Sequence, residues 1–164
     1  MTRWTTLGLV LTVCLTGCSA VSFGDSASQK EAPVKIVNNA TLTETFEVAV
    51  VEVGENMTIY RGSRSQNIPV SSGSTTFKSP LSRVDLPDSA RVHGQYTLEP
   101  GERKELSVPN VRPDEAIVIL IYDEEEERYR AIKSLSCDGP VLGYKVTTEA
   151  EGEDETMSTH QCGL

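Results

Sequence analysis

Apolar residues along this chain come in short bursts, and the breaks between them are built from Gly, Pro, Asn, Ser and charge. Val34–Val37 is a brief β-branched run that stops at Asn38-Asn39, a turn signal. Thr45–Val53 is a longer strand pattern. Gly54-Glu55-Asn56 breaks it and Met57–Tyr60 resumes, which together predict a hairpin. Residues 61–90 are heavy in Ser, Gly, Pro and Arg, and only Ile68 and Val70 suggest a short edge strand there. Gln95–Leu98 and Lys104–Val108 flank Glu99-Pro100-Gly101-Glu102, whose Pro-Gly pair predicts a tight turn. Ala116–Tyr122 is almost wholly apolar and predicts a central strand. Five acids, Asp123–Glu127, form the next turn, and the chain returns through Arg128–Leu135. Val141–Thr147 and Thr156–His160 complete the set.

No stretch shows a sustained apolar period of 3.6 with helix caps. Without helices to make parallel crossovers, a succession of short strands implies an antiparallel sandwich. The expected fold is therefore all-β, a sandwich of about seven to nine strands. Composition agrees: Val, Ile and Leu dominate the apolar set, Thr is frequent, and aromatic residues make up 5%.

The first residues follow a different logic. Met1–Thr6 carries one charge, Arg3, and Leu7–Leu15 is a short apolar run. A membrane-spanning helix needs about 20 apolar residues, so this run reads as the core of a secretory signal peptide. It ends in Leu15-Thr16-Gly17-Cys18, which resembles the lipobox of prokaryotic membrane lipoproteins. The resemblance implies that residues 1–17 are a cleaved signal peptide. It also implies that Cys18 takes a diacylglycerol thioether and becomes the first mature residue, facing outward from the cytoplasmic membrane. The chemistry is intelligible: a thiol alkylates readily, Gly17 leaves space beside it, and two acyl chains hold where one holds only marginally. A short buried helix of a cytosolic protein is the competing account, and it leaves the abrupt polar stretch after Cys18 unexplained. No twin-arginine pair precedes the apolar run, so export as an unfolded chain is expected. Residues 18–32, rich in Ser, Ala, Gly and charge, then read as anchor and flexible tether, and 33–164 as the folded domain. The segment Leu98–Val108 is similar to a strand-turn-strand of immunoglobulin-like sandwiches. With Val34–Asn39 and the acidic composition, it also resembles small secreted lipoproteins of salt-loving archaea. These likenesses imply a fold and a habitat, and no activity.

At 164 residues the chain has room for one ordinary domain. The roughly 130 residues beyond the tether suffice to bury about two-thirds of their unfolded surface. The net charge is −9, and downstream of Cys18 there are 24 acids against 14 bases. Such a surface repels nucleic-acid phosphate and is not drawn to anionic lipid by charge. It suits high salt, where self-repulsion is screened.

The lipobox resemblance implies that Cys14 leaves with the signal and that Cys18 is acylated, which would leave Cys137 and Cys162. An even pair in an oxidising compartment is expected to form a disulfide, with free thiols or a metal site as alternatives. The bridge would close a loop of about 25 residues, stabilise by roughly 3 kcal/mol, and pin a polar C-terminus. A blue-copper centre needs two His and one Cys, with an axial Met in many cases. His93, Cys137, Met157 and His160 are present, but 22 residues lie between Cys137 and His160 and the Met precedes that His. Paired zinc spacing is missing as well, so no metal ligands are assigned. The acidic run lacks the interleaved Gly and Asn of a calcium loop and reads as a solvated turn. Asn39-Ala40-Thr41 and Asn56-Met57-Thr58 match the N-glycosylation triplet.

For catalysis, His93 and His160 are the only histidines, and no serine sits in a G-x-S-x-G elbow. His93 reads as a strand-end residue, and no phosphate-cradling glycine loop occurs. No catalytic residue or cofactor is assigned, and a non-enzyme is expected. The reading is a surface-tethered binding or accessory module in the cell envelope, meeting a protein or polymer through end loops or an exposed strand edge. Residues 61–90 are the candidate contact-making segment, because long irregular segments tend to carry function. The competing class is an extracytoplasmic metal or small-molecule binder using His93, His160 and the acidic turn. Oligomeric state is left open.

Overall fold

The computed structural model describes residues 31–71, 80–149 and 156–163. The expected signal segment 1–17, the acylation site Cys18 and the tether as far as residue 30 lie outside the described residues, as do 72–79 of the segment 61–90.

The described residues form strands and no helix. In chain order the strands are β1 (Ala32–Asn38), β2 (Glu44–Glu52), β3 (Asn56–Arg61), β4 (Arg64–Pro69), β5 (Arg83–Asp85) and β6 (Arg91–Leu98). β7 (Arg103–Val108), β8 (Glu115–Asp123), β9 (Arg128–Leu135), β10 (Val141–Thr148) and β11 (Met157–Cys162) follow. The fold is all-β, as expected. Among the described residues there are eleven strands rather than seven to nine, and they form three sheets. The first has the order β11-β10-β1-β7, the second β6-β2-β8-β9 and the third β4-β3-β5. Every named pairing is antiparallel except that of β1 with β10.

Alternation decides which side chains meet. On β1, Ala32, Val34 and Ile36 point inward. On β2, Phe46, Val48 and Val50 meet them from the opposing sheet, with Ile117, Ile119 and Ile121 of β8. This is the main core between the first two sheets. β8 differs because its other face is also covered. Ala116, Val118 and Leu120 pack with Met57 and Ile59 of β3, Val70, Leu81 and Ile132 in a second core under the third sheet. A strand buried on both faces has no polar face to show, so Ala116–Tyr122 reads as a continuous apolar run.

Two expectations change here. β2 and β3 are not a hairpin: β2 pairs with β6 and β8, whereas β3 pairs with β4 and β5. At the break the Val53 amide donates to the Asp114 carbonyl and the Gly54 amide to that of Val70, 2.9 and 2.7 Å. Gly54 takes φ +92°, open to glycine and strained for other residues. The chain thus turns out of the second sheet, because Met57 and Ile59 bury against β8 only from the third. Likewise 61–90 is not irregular throughout. β4 is the expected edge strand, although Val70 lies just beyond it, and β5 was not foreseen. The Pro-Gly turn at 99–102 is present, but it carries the chain from β6 in the second sheet to β7 in the first.

Candidate functional site: a cleft at one end of the sandwich

At the end of the sandwich where β1 and β10 begin and β2 finishes, the two main sheets part over a cleft of about 650 Å3. Ala32, Val50 and Val141 form a buried apolar floor, with Val111, Pro113 and Pro140 beside it. One wall is polar. Glu115, only 6% exposed, sits at the first position of β8 between two arginines. Its Oε2 accepts from Arg91 Nη2 at 2.8 Å and from the Arg112 amide at 2.9 Å, and its Oε1 lies 3.3 Å from Arg112 Nη2. Arg112 also reaches Glu52 at 2.9 Å and Asp114 at 3.2 Å, and Arg91 donates to the Asn110 carbonyl at 3.0 Å. The carboxylates of Glu115, then Asp114 and Glu52, raise the Arg112 pKa above its ordinary value. Asn110 holds φ +59°, a left-handed conformation that Asn tolerates better than most residues.

Two arginines and two glutamates line the cleft, so its wall offers fixed hydrogen-bonding groups with little net charge. Sequence reasoning missed this wall: Arg91 and Glu115 are 24 residues apart, and only the sheet pairing brings them together.

The expected bridge is present. Cys137 and Cys162 are bonded, with Cα atoms 5.7 Å apart. Cys137 lies in the β9–β10 connection, whose Gly139 and Pro140 line the cleft, so the bond secures one cleft wall. Asn39 lies exposed in the bend after β1, and Asn56, also exposed, is the first residue of β3 rather than a turn residue. His93 is not at a strand end. Val48 pairs with Gly94 and Ala49 with Val92, which leaves His93 as the extra, exposed residue of a bulge inside β6. His160 sits exposed on β11. That strand edges the first sheet on the side away from β7, which follows β6 directly, so the two histidines do not converge.

The acidic turn does not act as one unit either. Asp123 is buried, and its Oδ1 accepts the amides of Glu125 and Glu126 at 2.9 and 3.1 Å, while Glu124–Glu127 face water. The reading of the turn as solvated therefore fails for Asp123, whose carboxylate caps the chain reversal. Among the described residues no three of His, Cys, Asp and Glu gather in a metal-holding group.

No family model, curated protein or solved structure matches the chain.

The opposite end holds a second polar cluster. Glu44, with no exposed surface, stands across the β2–β8 ladder from Asp123 and accepts from Arg130 Nη1 at 2.8 Å. Its Oε2 is buried without a partner. Burial raises its pKa and Asp123 adds to the rise; the nearby Thr148 side chain and the Arg130 charge act the other way. A carboxyl whose pKa rises on folding contributes stability that is complete below the ordinary carboxyl range and is lost as pH climbs through the raised value. Glu44→Gln keeps an acceptor for Arg130 and removes the buried charge. It is expected to unfold at higher urea than the parent at pH 7, with the difference closing near pH 4. A variant less stable at pH 7 and equally so at pH 4 would contradict this reading.

Proposed function

We propose that the chain is an envelope-anchored lipoprotein whose sandwich is a non-enzymatic binding or accessory module on the outer side of the cytoplasmic membrane. Its partner is a protein or polymer of the envelope, engaged at the cleft. The observation that carries this reading is the cleft itself. About 650 Å3 is a volume suited to a ligand or to a few residues of a partner chain. An apolar floor is backed by the main core, and a polar wall is fixed by Arg91, Glu115 and Arg112. Ala32 begins β1 and also forms part of the floor, so the chain leads directly from the expected tether into the cleft. The sequence Leu15-Thr16-Gly17-Cys18 and the polar stretch after it support the anchor.

The test combines mass and capture. Mass spectrometry of the protein from its own membranes should give a chain beginning at acylated Cys18. Crosslinking in those membranes should yield an envelope partner that is lost when Val141→Trp fills the floor. An unmodified cytosolic chain beginning at Met1 would defeat the anchor. A filled cleft that keeps its partner would defeat the site. The cleft volume also favours a second reading, capture of a small molecule. A compound retained by the purified protein in native mass spectrometry and displaced by Val141→Trp would select it.

A further inference from the structure

β8 runs from Glu115 in the cleft to Asp123 at the opposite end of the sandwich. The third sheet covers its outer face at Ala116, Val118 and Leu120, and beyond them Tyr122 is only half-buried. The neighbouring strand is irregular at the same place. Ile121 pairs with Ala131 but Tyr122 with Tyr129, so Arg130 is the extra residue of a bulge in β9. Counting back from Ile132, which packs under the third sheet, strict alternation would send Arg130 out and Tyr129 in. The bulge reverses this. Arg130 turns in to Glu44, and Tyr129 comes out beside Tyr122, with ring centroids 5.2 Å apart and ring planes at 68°.

The two rings line a pocket of about 250 Å3, with Leu120 behind them and the carboxylates of Glu47 and Glu124 at its sides. Every residue lining it is among the described ones, and none is Lys, Arg or His. Gln95 Nε2 donates to Glu47 at 2.8 Å and Thr45 Oγ1 to Glu124 at 2.6 Å. Neutral donors fix the oxygens without cancelling the charge. Both phenols titrate above their ordinary value. Partial burial is the larger cause, and negative neighbours add to it: Glu127, Glu124 and Asp123 around Tyr122, and Glu47, the Tyr122 phenol and Asp85 around Tyr129. The field at this pocket is therefore negative on its own account, whatever the charge of the rest of the chain.

We propose that the pocket between Tyr122, Tyr129, Glu47 and Glu124 binds a small organic ammonium ion that carries alkyl groups on its nitrogen. An aromatic face attracts a cation lying within about 6 Å of the ring centroid. Rings 5.2 Å apart let one cation reach both. Glu47 and Glu124 supply the countercharge. The size suits a head group, since about 250 Å3 falls short of the roughly 300–1,000 Å3 that enclose a drug-sized ligand. A hard metal ion suits the pocket poorly. Calcium takes six to eight oxygens, whereas two rings and a leucine make up much of this wall. An alkylated nitrogen keeps its charge and turns methyl groups toward those same apolar surfaces. The proposal depends on neither the anchor nor the cleft.

The test follows tyrosine ring resonances of the protein labelled with 13C at tyrosine, its disulfide intact, at constant ionic strength. Tetramethylammonium chloride should shift the resonances of Tyr122 and Tyr129 and saturate. Sodium chloride should not, and neither should tert-butanol, a neutral molecule of similar size and shape. Tyr122→Leu should raise the Kd about two- to thirtyfold, whereas Tyr122→Phe, which keeps the ring, should bind like the parent. Glu47→Gln, which keeps an oxygen for Gln95 and removes the charge, should also weaken binding, and it decides alone if Tyr122→Leu does not fold. No saturable shift, an equal response to tert-butanol, or parental binding by Tyr122→Leu or Glu47→Gln would each overturn the proposal. So would n-butylammonium binding as tightly as tetramethylammonium, which would assign the pocket to an unmethylated lysine-like head.

Discussion

Leu120→Asp is expected to leave no cooperatively folded protein, although strict alternation along a two-layer sandwich would put this residue in water. Leu120 is 1% exposed and packs beneath the third sheet with Met57, Ile59 and Ile132. Truncating a buried Leu costs about 2–5 kcal/mol, and a carboxylate in the same apolar site adds several more or must be protonated. Domains of this size hold roughly 5–15 kcal/mol in total. The matched control is Val92→Asp on β6, a residue 57% exposed, which should stay within about 0.5 kcal/mol of the parent. Urea titration followed by far-UV circular dichroism reads both. If Leu120→Asp unfolds in one transition at the parent's midpoint, the third sheet does not cover β8.

Loss of the Cys137–Cys162 bond is the second large effect. A closed loop of 25 residues stabilises by about 3.5 kcal/mol through the unfolded chain. The native consequence is local. No side chain of β11 belongs to either core, and among the described residues its pairing with β10 and the Gly163–Pro140 contact remain when the bond is removed. In the double variant Cys137→Ser, Cys162→Ser, the amides of Met157–Cys162 should exchange far faster while those of β8 track the lowered global stability. The β9–β10 connection is released at the same time, so the cleft wall at Gly139 and Pro140 should loosen with it. Equal urea midpoints for oxidised and reduced protein, with β11 still protected, would show that the bond is not what holds this end.

The site was less legible than the fold. Turn residues such as Pro100 and Gly101 act within a few positions, and Gly101 does take φ +83°. The cleft joins Ala32, Arg91, Glu115 and Val141, which no local pattern relates. Even the acidic run misled in one place. Asp123 looks like its four neighbours in sequence, yet its position at the end of β8 turns it inward to cap the reversal.

By itself the sequence determined an all-β chain, the position of most strands and the continuous apolar run of β8, because period-two alternation and turn chemistry are local signals; for Cys137 and Cys162 it offered a disulfide beside free thiols or a metal site, and the structure shows the bond. The tertiary structure decided which sheet each strand joins. Val53-Gly54-Glu55-Asn56 and Glu99-Pro100-Gly101-Glu102 read as ordinary reversals, yet each passes the chain from one sheet to another. A turn bends the backbone the same way whether the next strand pairs with its predecessor or crosses a core. That choice is made by distant apolar faces, here those of Met57 and Ile59 against Val118 and Leu120.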